Sequence, residues 1–181
     1  MFGRVSKKVL TAVGSKEFPD AWISFVREFK RFKKAYGQGS KGFKEYRPEP
    51  KDRGNQTVDV DREFRINVSE LVQLFYILRM SFLKAQSKGG ISITAQRGTD
   101  VDSLQVRSTQ RGRDLASLDV VLREIRKLLN LFPETISSIR SPAVIGVMVE
   151  RMEKAIKKAA ALISFIHSNA EAEKKNAKSA K

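Results

Sequence analysis

Apolar positions recur every three or four residues through most of this 181-residue chain, and the phase of that recurrence outlines its elements. Trp22, Phe25, Val26, Phe29, Phe32 and Tyr36 fall on one stripe of a helix over residues 19–36, with Pro19 in the first turn and Gly37 just past the end. Arg27, Lys30, Arg31 and Lys34 fall on the other side. A segment rich in Gly, Lys, Pro and Asp follows over 37–56. From 57 to 68 the pattern changes to alternation: Val58, Val60, Arg62, Phe64 and Ile66 against Asp59, Asp61, Glu63 and Arg65, which predicts a half-buried strand.

Ser69 is placed to cap a helix to about residue 85 that uses Leu71, Leu74, Phe75, Leu78, Phe82 and Leu83, and Gly89-Gly90 ends it. Two alternating runs, 91–97 and 104–111, then flank a polar loop and predict a β-hairpin. Asp114 is the expected N-cap of a helix built on Leu115, Leu118, Val121, Leu122, Ile125 and Leu129, ending before Pro133. Pro142 opens a last helix to about residue 166. Its seam, Ile145, Met148, Met152, Ala155, Ala159, Leu162 and Ile166, keeps a strict three-four spacing, so it can serve a dimer contact or the chain's own core.

These elements predict an α+β domain, a small antiparallel sheet with the hairpin backed by helices plus a long C-terminal helix; the alternative is a mostly helical bundle. The expected organisation is a basic aromatic N-terminal helix and linker over 1–54, a core over 55–168 and a disordered tail over 169–181.

Charge turns this outline toward a partner. The formal net charge is +15, and it is uneven: residues 1–54 hold 14 basic and 6 acidic side chains, 55–111 hold 8 and 6, and 112–181 hold 13 and 8. Such an excess steers a protein toward anionic surfaces, and each Lys or Arg that neutralises a phosphate releases a condensed counterion. Lys30, Arg31, Lys33, Lys34, Lys41 and Lys44 are the candidates to hold a nucleic-acid backbone. Arg97, Arg107, Arg111 and Arg113 are placed to line the strand's path across the outer hairpin face, where amide, hydroxyl and guanidinium groups meet no carboxylate. Tyr36, Phe43 and Tyr46 approach or enter the Gly-rich basic segment and are the candidates to stack on bases, whereas Trp22, Phe25 and Phe29 suit a core. The basic segment at residues 1–16 fits a short amphipathic first helix or a targeting segment.

The remaining chemistry is thin. No cysteine is present, which removes disulfides, thiolate nucleophiles and zinc–sulfur sites and fits an intracellular setting, cytoplasm, nucleoid or virion. His167 is the single histidine, so neither a Ser-His-Asp triad nor a His-based metal centre has its parts. Gly37-Gln38-Gly39-Ser40-Lys41-Gly42 has the letters of a dinucleotide fingerprint but follows a helix rather than a strand. Asp59, Asp61 and Glu63 share one face if 57–68 is a strand, which keeps a metal-dependent nuclease in view. The apolar run 68–83 is interrupted by Glu70, Gln73 and Arg79, which argues against a membrane span.

The expectation is therefore a non-catalytic binder of single-stranded DNA or RNA with little sequence preference, needing no cofactor or metal, and dimeric or higher through its C-terminal helix. Its rival is a nucleocapsid or coat subunit that assembles around nucleic acid. A nuclease and a peripheral membrane protein are the lesser alternatives.

Overall fold

The computed structural model describes residues 5–37, 56–88, 91–93, 106–138 and 142–179, with side chains described for 5–37, 62–87, 109–132 and 144–179. A short helix α1 (Lys7–Leu10) and a 3-10 turn (Thr11–Val13) precede four long helices: α2 (Phe18–Tyr36), α3 (Gln56–Lys88), α4 (Gln110–Ser138) and α5 (Pro142–Ser179). Between α3 and α4, β1 (Ile91–Ile93) pairs antiparallel with β2 (Val106–Ser108), Ser92 opposite Arg107. Among the described residues, every core side chain belongs to a helix or to the N-terminal turns.

The long helices form a four-membered ring, α2 beside α3, α3 beside α4, α4 beside α5 and α5 beside α2. Cross-contacts fix their directions. Phe18 at the start of α2 meets Phe82 near the end of α3, Arg79 of α3 pairs with Asp119 early in α4, Asp114 of α4 bonds Asn169 of α5, and Lys33 late in α2 pairs with Glu153 early in α5. All neighbours are thus antiparallel, an up-down-up-down bundle.

The fold is all-helical, as in the bundle alternative, and the α+β expectation is overturned. Residues 57–68 belong to α3, and the reason is legible in its buried positions: Phe64, Val68, Leu71, Phe75, Leu78, Phe82 and Ala85 are spaced four-three throughout. That repeat runs unbroken back into the supposed strand, so the alternation there is local and Ile66 faces solvent. Ser69 lies inside the helix and caps nothing. The three-residue ribbon is far smaller than the sheet the α+β class requires.

Equivalent repeats build the other walls. In α2 they are Phe18, Trp22, Phe25, Phe29, Phe32 and Tyr36; in α4, Leu115, Leu118, Leu122, Ile125, Leu129 and Phe132; in α5, Ile145, Val149, Met152, Ile156, Ala159, Ile163 and Ile166. The seam assigned to a dimer, Ile145, Met148, Met152, Ala155, Ala159 and Ile166, is buried against the chain's own helices, with Leu162 partly so.

Aromatic rings concentrate at one end of the bundle. Phe32 sits 5.6 Å from Phe64 and 5.4 Å from Phe132, and Tyr36 lies 4.8 Å from Phe64. Phe25 and Phe75 meet edge to face at 5.5 Å in the middle. At the other end Phe18 stacks on Trp22.

Helix ends follow their own chemistry. The α2 helix starts with Pro19 in its first turn and ends at Gly37, whose N–H donates to the Lys33 carbonyl. The α4 helix begins at Gln110 instead of beyond Asp114: the Thr109 hydroxyl accepts from Gly112 N–H at 3.0 Å and acts as the cap. Asp114 is instead buried within the helix, where its carboxylate accepts from Gln110 and Asn169 at 2.8 Å each. The α4 helix also continues past Pro133 to Ser138, and α5 continues through the residues expected to form a tail as far as Ser179. The composition of that stretch, Ala, Lys and Glu, has high helix propensity, and Glu171 pairs with Lys174 along it.

Truncating Phe32, which touches three rings from three helices, removes the centre of the aromatic end. Phe32→Ala is expected to cost about 3–5 kcal/mol, measured as a fall in the urea midpoint at unchanged m-value.

Candidate polyanion-binding face

Burying the aromatic stripe of α2 forces its charged residues outward. Arg27, Lys30, Arg31 and Lys34 are exposed on the side opposite the core. The neighbouring α5 presents Lys154 and Lys157, also exposed, and the two helices are tied by Lys33 Nζ to Glu153 Oε2 at 2.6 Å. These two adjacent faces therefore carry Arg27, Lys30, Arg31, Lys33, Lys34, Lys154 and Lys157 against Glu28, Glu150 and Glu153.

Two of the three carboxylates are engaged. Glu28 pairs with Arg31 at 3.3 Å, and Glu153 holds Lys157 at 3.0 Å as well as Lys33. Partial burial acts to raise the Glu153 carboxyl, but the hydrogen bonds and charges of Lys33 and Lys157 outweigh it and hold the group below its usual value. Between the helices and α1 lies a crevice of about 580 Å³. Trp22, Ile23, Val26 and Ile156 supply its apolar lining, and Arg27, Lys30 and Lys157 its cations.

The other residues expected to contact nucleic acid divide into three groups. Tyr36 belongs to the core: it is only 8% exposed, packs on Phe32 and Phe64, and its hydroxyl accepts from Asn67 Nδ2 at 2.9 Å. Burial, the largest influence, raises its phenol. Arg111 is engaged within the fold. Its guanidinium donates to the Ala12 and Val13 carbonyls at 3.1 Å each, and so closes the N-terminal turns onto the start of α4. Gly14 sits against that guanidinium in the left-handed conformation (φ 98°), where a β-carbon would collide with it. Arg113 is exposed and donates to Gln110 at 2.7 Å. It lies in the first turn of α4, diagonal to α2 and at the opposite end from Lys30–Lys34, so the structure does not bring these groups together. Lys41, Phe43, Lys44, Tyr46 and Arg97 lie outside the described residues, as does the side chain of Arg107.

Residues 59, 61 and 63, expected on a strand, belong instead to the helix α3. Among the described residues no group of three His, Asp or Glu is placed to hold a metal ion. His167, expected at a helix end, lies well inside α5. Residues 62–87 of α3 are, by length and composition alone, apolar enough to cross a membrane, although a third of the most apolar window is buried in the bundle.

Arg27, Lys154 and Lys157 are the residues that sequence reasoning missed. The two lysines stand four residues after Glu150 and Glu153 on one helix, and nothing local announces that α5 lies beside α2. Comparisons with protein families, with curated proteins and with solved structures find no match to this chain.

Two measurements test these assignments. Arg111→Gln is expected to lower the melting temperature and leave polyanion affinity unchanged, because its donors serve the fold. The second is acid sensitivity. Glu17 is held at about 2, below the usual 4.5, first by the Ser15 hydroxyl, then by its own backbone N–H and by Lys84. Since Glu17 and Glu153 are both depressed in the folded chain, their contribution is complete above the usual carboxylate range and is lost as pH falls through it. Melting temperature should therefore drop as pH falls from about 4.5 toward 2, and the Glu17→Gln and Glu153→Gln variants should each flatten that slope.

Proposed function

We propose that this chain is a non-catalytic nucleic-acid-binding protein that engages the phosphate backbone through the outer faces of α2 and α5, with little sequence preference. The observation that carries the reading is the gathering of seven cationic residues from two helices onto one side of a rigid bundle, with two of the three carboxylates there already paired. Lys and Arg on a helical face meet phosphates as point charges and forks, which fixes affinity and register but does not read bases.

Arg27, Lys30, Arg31, Lys34, Lys154 and Lys157 form the binding set. Lys41 and Lys44 follow α2 in sequence and extend the same charge. The preference for single strands rests on Phe43 and Tyr46, the two remaining stacking candidates, now that Tyr36 belongs to the core.

Fluorescence anisotropy of labelled single-stranded DNA, single-stranded RNA and duplex DNA over a salt series tests the proposal. Affinity should fall steeply with salt for all three and be highest for single strands. Arg27→Ala and Lys34→Ala should weaken binding uniformly across sequences, each reducing the log–log salt slope by about one. Binding indifferent to salt, or unchanged in the double variant, overturns it.

A further inference from the structure

The crevice between α1, α2 and α5 joins an apolar floor to a cationic rim. Trp22 and Ile156, 4% and 1% exposed, form the floor, and half-buried Ile23 and Val26 form the wall on α2. Arg27, Lys30 and Lys157 stand exposed around it, and no carboxylate lines it. Lys157 does pair with Glu153, but that one carboxylate is shared with Lys33, so the rim keeps a positive excess. The volume of about 580 Å³ lies within the roughly 300–1,000 Å³ of small-molecule pockets.

We propose that this crevice takes a single unpaired nucleobase of the bound strand, with the phosphates on either side of that base held by the rim. The inference rests on the nucleic-acid reading above and names the part of the strand that enters the protein. Placement of charge selects this occupant. Arg27 and Lys30 lie about one turn apart on α2, and Lys157 lies across the crevice on α5, so the apolar floor has cations on both sides. A nucleotide within a chain is a flat body with an anion on both sides, whereas an aliphatic carboxylate carries its charge at one end only. The same three cations belong to the face that holds the backbone, so a strand lying on that face passes over the mouth of the crevice.

The lining sets what is read. Ser6 carries the one hydroxyl there, and it accepts from Val9 N–H at 3.4 Å as the cap of α1. A base is thus held by apolar contact with its faces, which every base has, and not through its edges. The site adds affinity without sequence preference. It also separates single strands from duplexes, because a paired base has to leave its stack before it can enter. Strand preference then has a source inside the bundle as well as in Phe43 and Tyr46.

Trp22 is the chain's single tryptophan, so its emission reports entry into the crevice separately from attachment to the surface. The test sets an oligothymidylate of about 15 nucleotides against a strand of equal length made of abasic tetrahydrofuran residues, in about 50 mM salt, where phosphate contacts are strong. The abasic strand keeps every phosphate and has no bases. Each is followed by anisotropy and by Trp22 emission. Both strands should bind, the oligothymidylate about tenfold more tightly, and only the oligothymidylate should quench Trp22. Ala160→Met, which fills the crevice from α5, should bring the oligothymidylate down to the abasic affinity. Equal affinities, or tighter binding of oligothymidylate with Trp22 emission unchanged, overturn the base site and leave the phosphate face standing. Binding by neither strand overturns the phosphate face, and this inference with it. Emission that responds to dodecanoate and to neither strand overturns the proposal in favour of an aliphatic anion.

Discussion

Four helices, each with an apolar stripe on a three-four spacing, have to bury those stripes against one another, and every other property of this chain follows from how they do so. No single amphipathic helix of this kind is stable alone in water; most of its stability comes from tertiary packing. The ring of antiparallel neighbours satisfies all four stripes at once. Phe18, Phe25 and Phe32 of α2 mesh with Phe82, Phe75 and Phe64 of α3, a ladder of aromatic pairs that fixes the register of the first two helices along their length.

Polar groups then fix details that apolar contact leaves open. Asp119 is nearly buried and takes both Arg79 of α3 and Arg123 of its own helix, the latter at 2.7 Å. Asp114 joins α4 to Asn169 of α5, and Asn67 joins α3 to Tyr36 of α2. Breaking one of these leaves a buried polar atom without a partner, which costs more than the bond itself contributes. They act as alignment marks at both ends of the bundle, and Arg111 adds the N-terminal turns to the same assembly.

Function is what the packing leaves over. The stripe of α2 consumes Tyr36 and Phe32, which by sequence stand next to a basic segment, and turns Arg27, Lys30, Arg31 and Lys34 outward beside α5. The seam of α5, which by spacing suits a dimer, is consumed inside the monomer. The outer side of α3 keeps Ile66, Val72, Tyr76, Ile77 and Met80 exposed. The bundle thus separates two surfaces of different chemistry, a cationic one on α2 and α5 and an apolar one on α3, on different sides of the molecule.

Local composition determined much of this. The stripe and both ends of α2, the interior of α4 and the heptad seam of α5 were legible because a 3.6-residue period is a property of the segment itself, as was the net positive charge. The tertiary structure decided the rest. Residues 57–68 satisfy a period of two and a period of three-four at once, and only the continuation of the repeat through Phe64, Val68 and Leu71 into a partner helix selects the helix. Tyr36 and Arg111 carry side chains equally suited to a ligand and to a neighbour, and the neighbours, Asn67 and Phe64 for one and the Ala12 and Val13 carbonyls for the other, are 28 to 99 residues distant in sequence. Lys157 joins the basic face only because α5 folds back beside α2. Periodicity is written in neighbouring residues, whereas the destination of a polar or aromatic side chain depends on contacts that exist only once the chain has closed on itself.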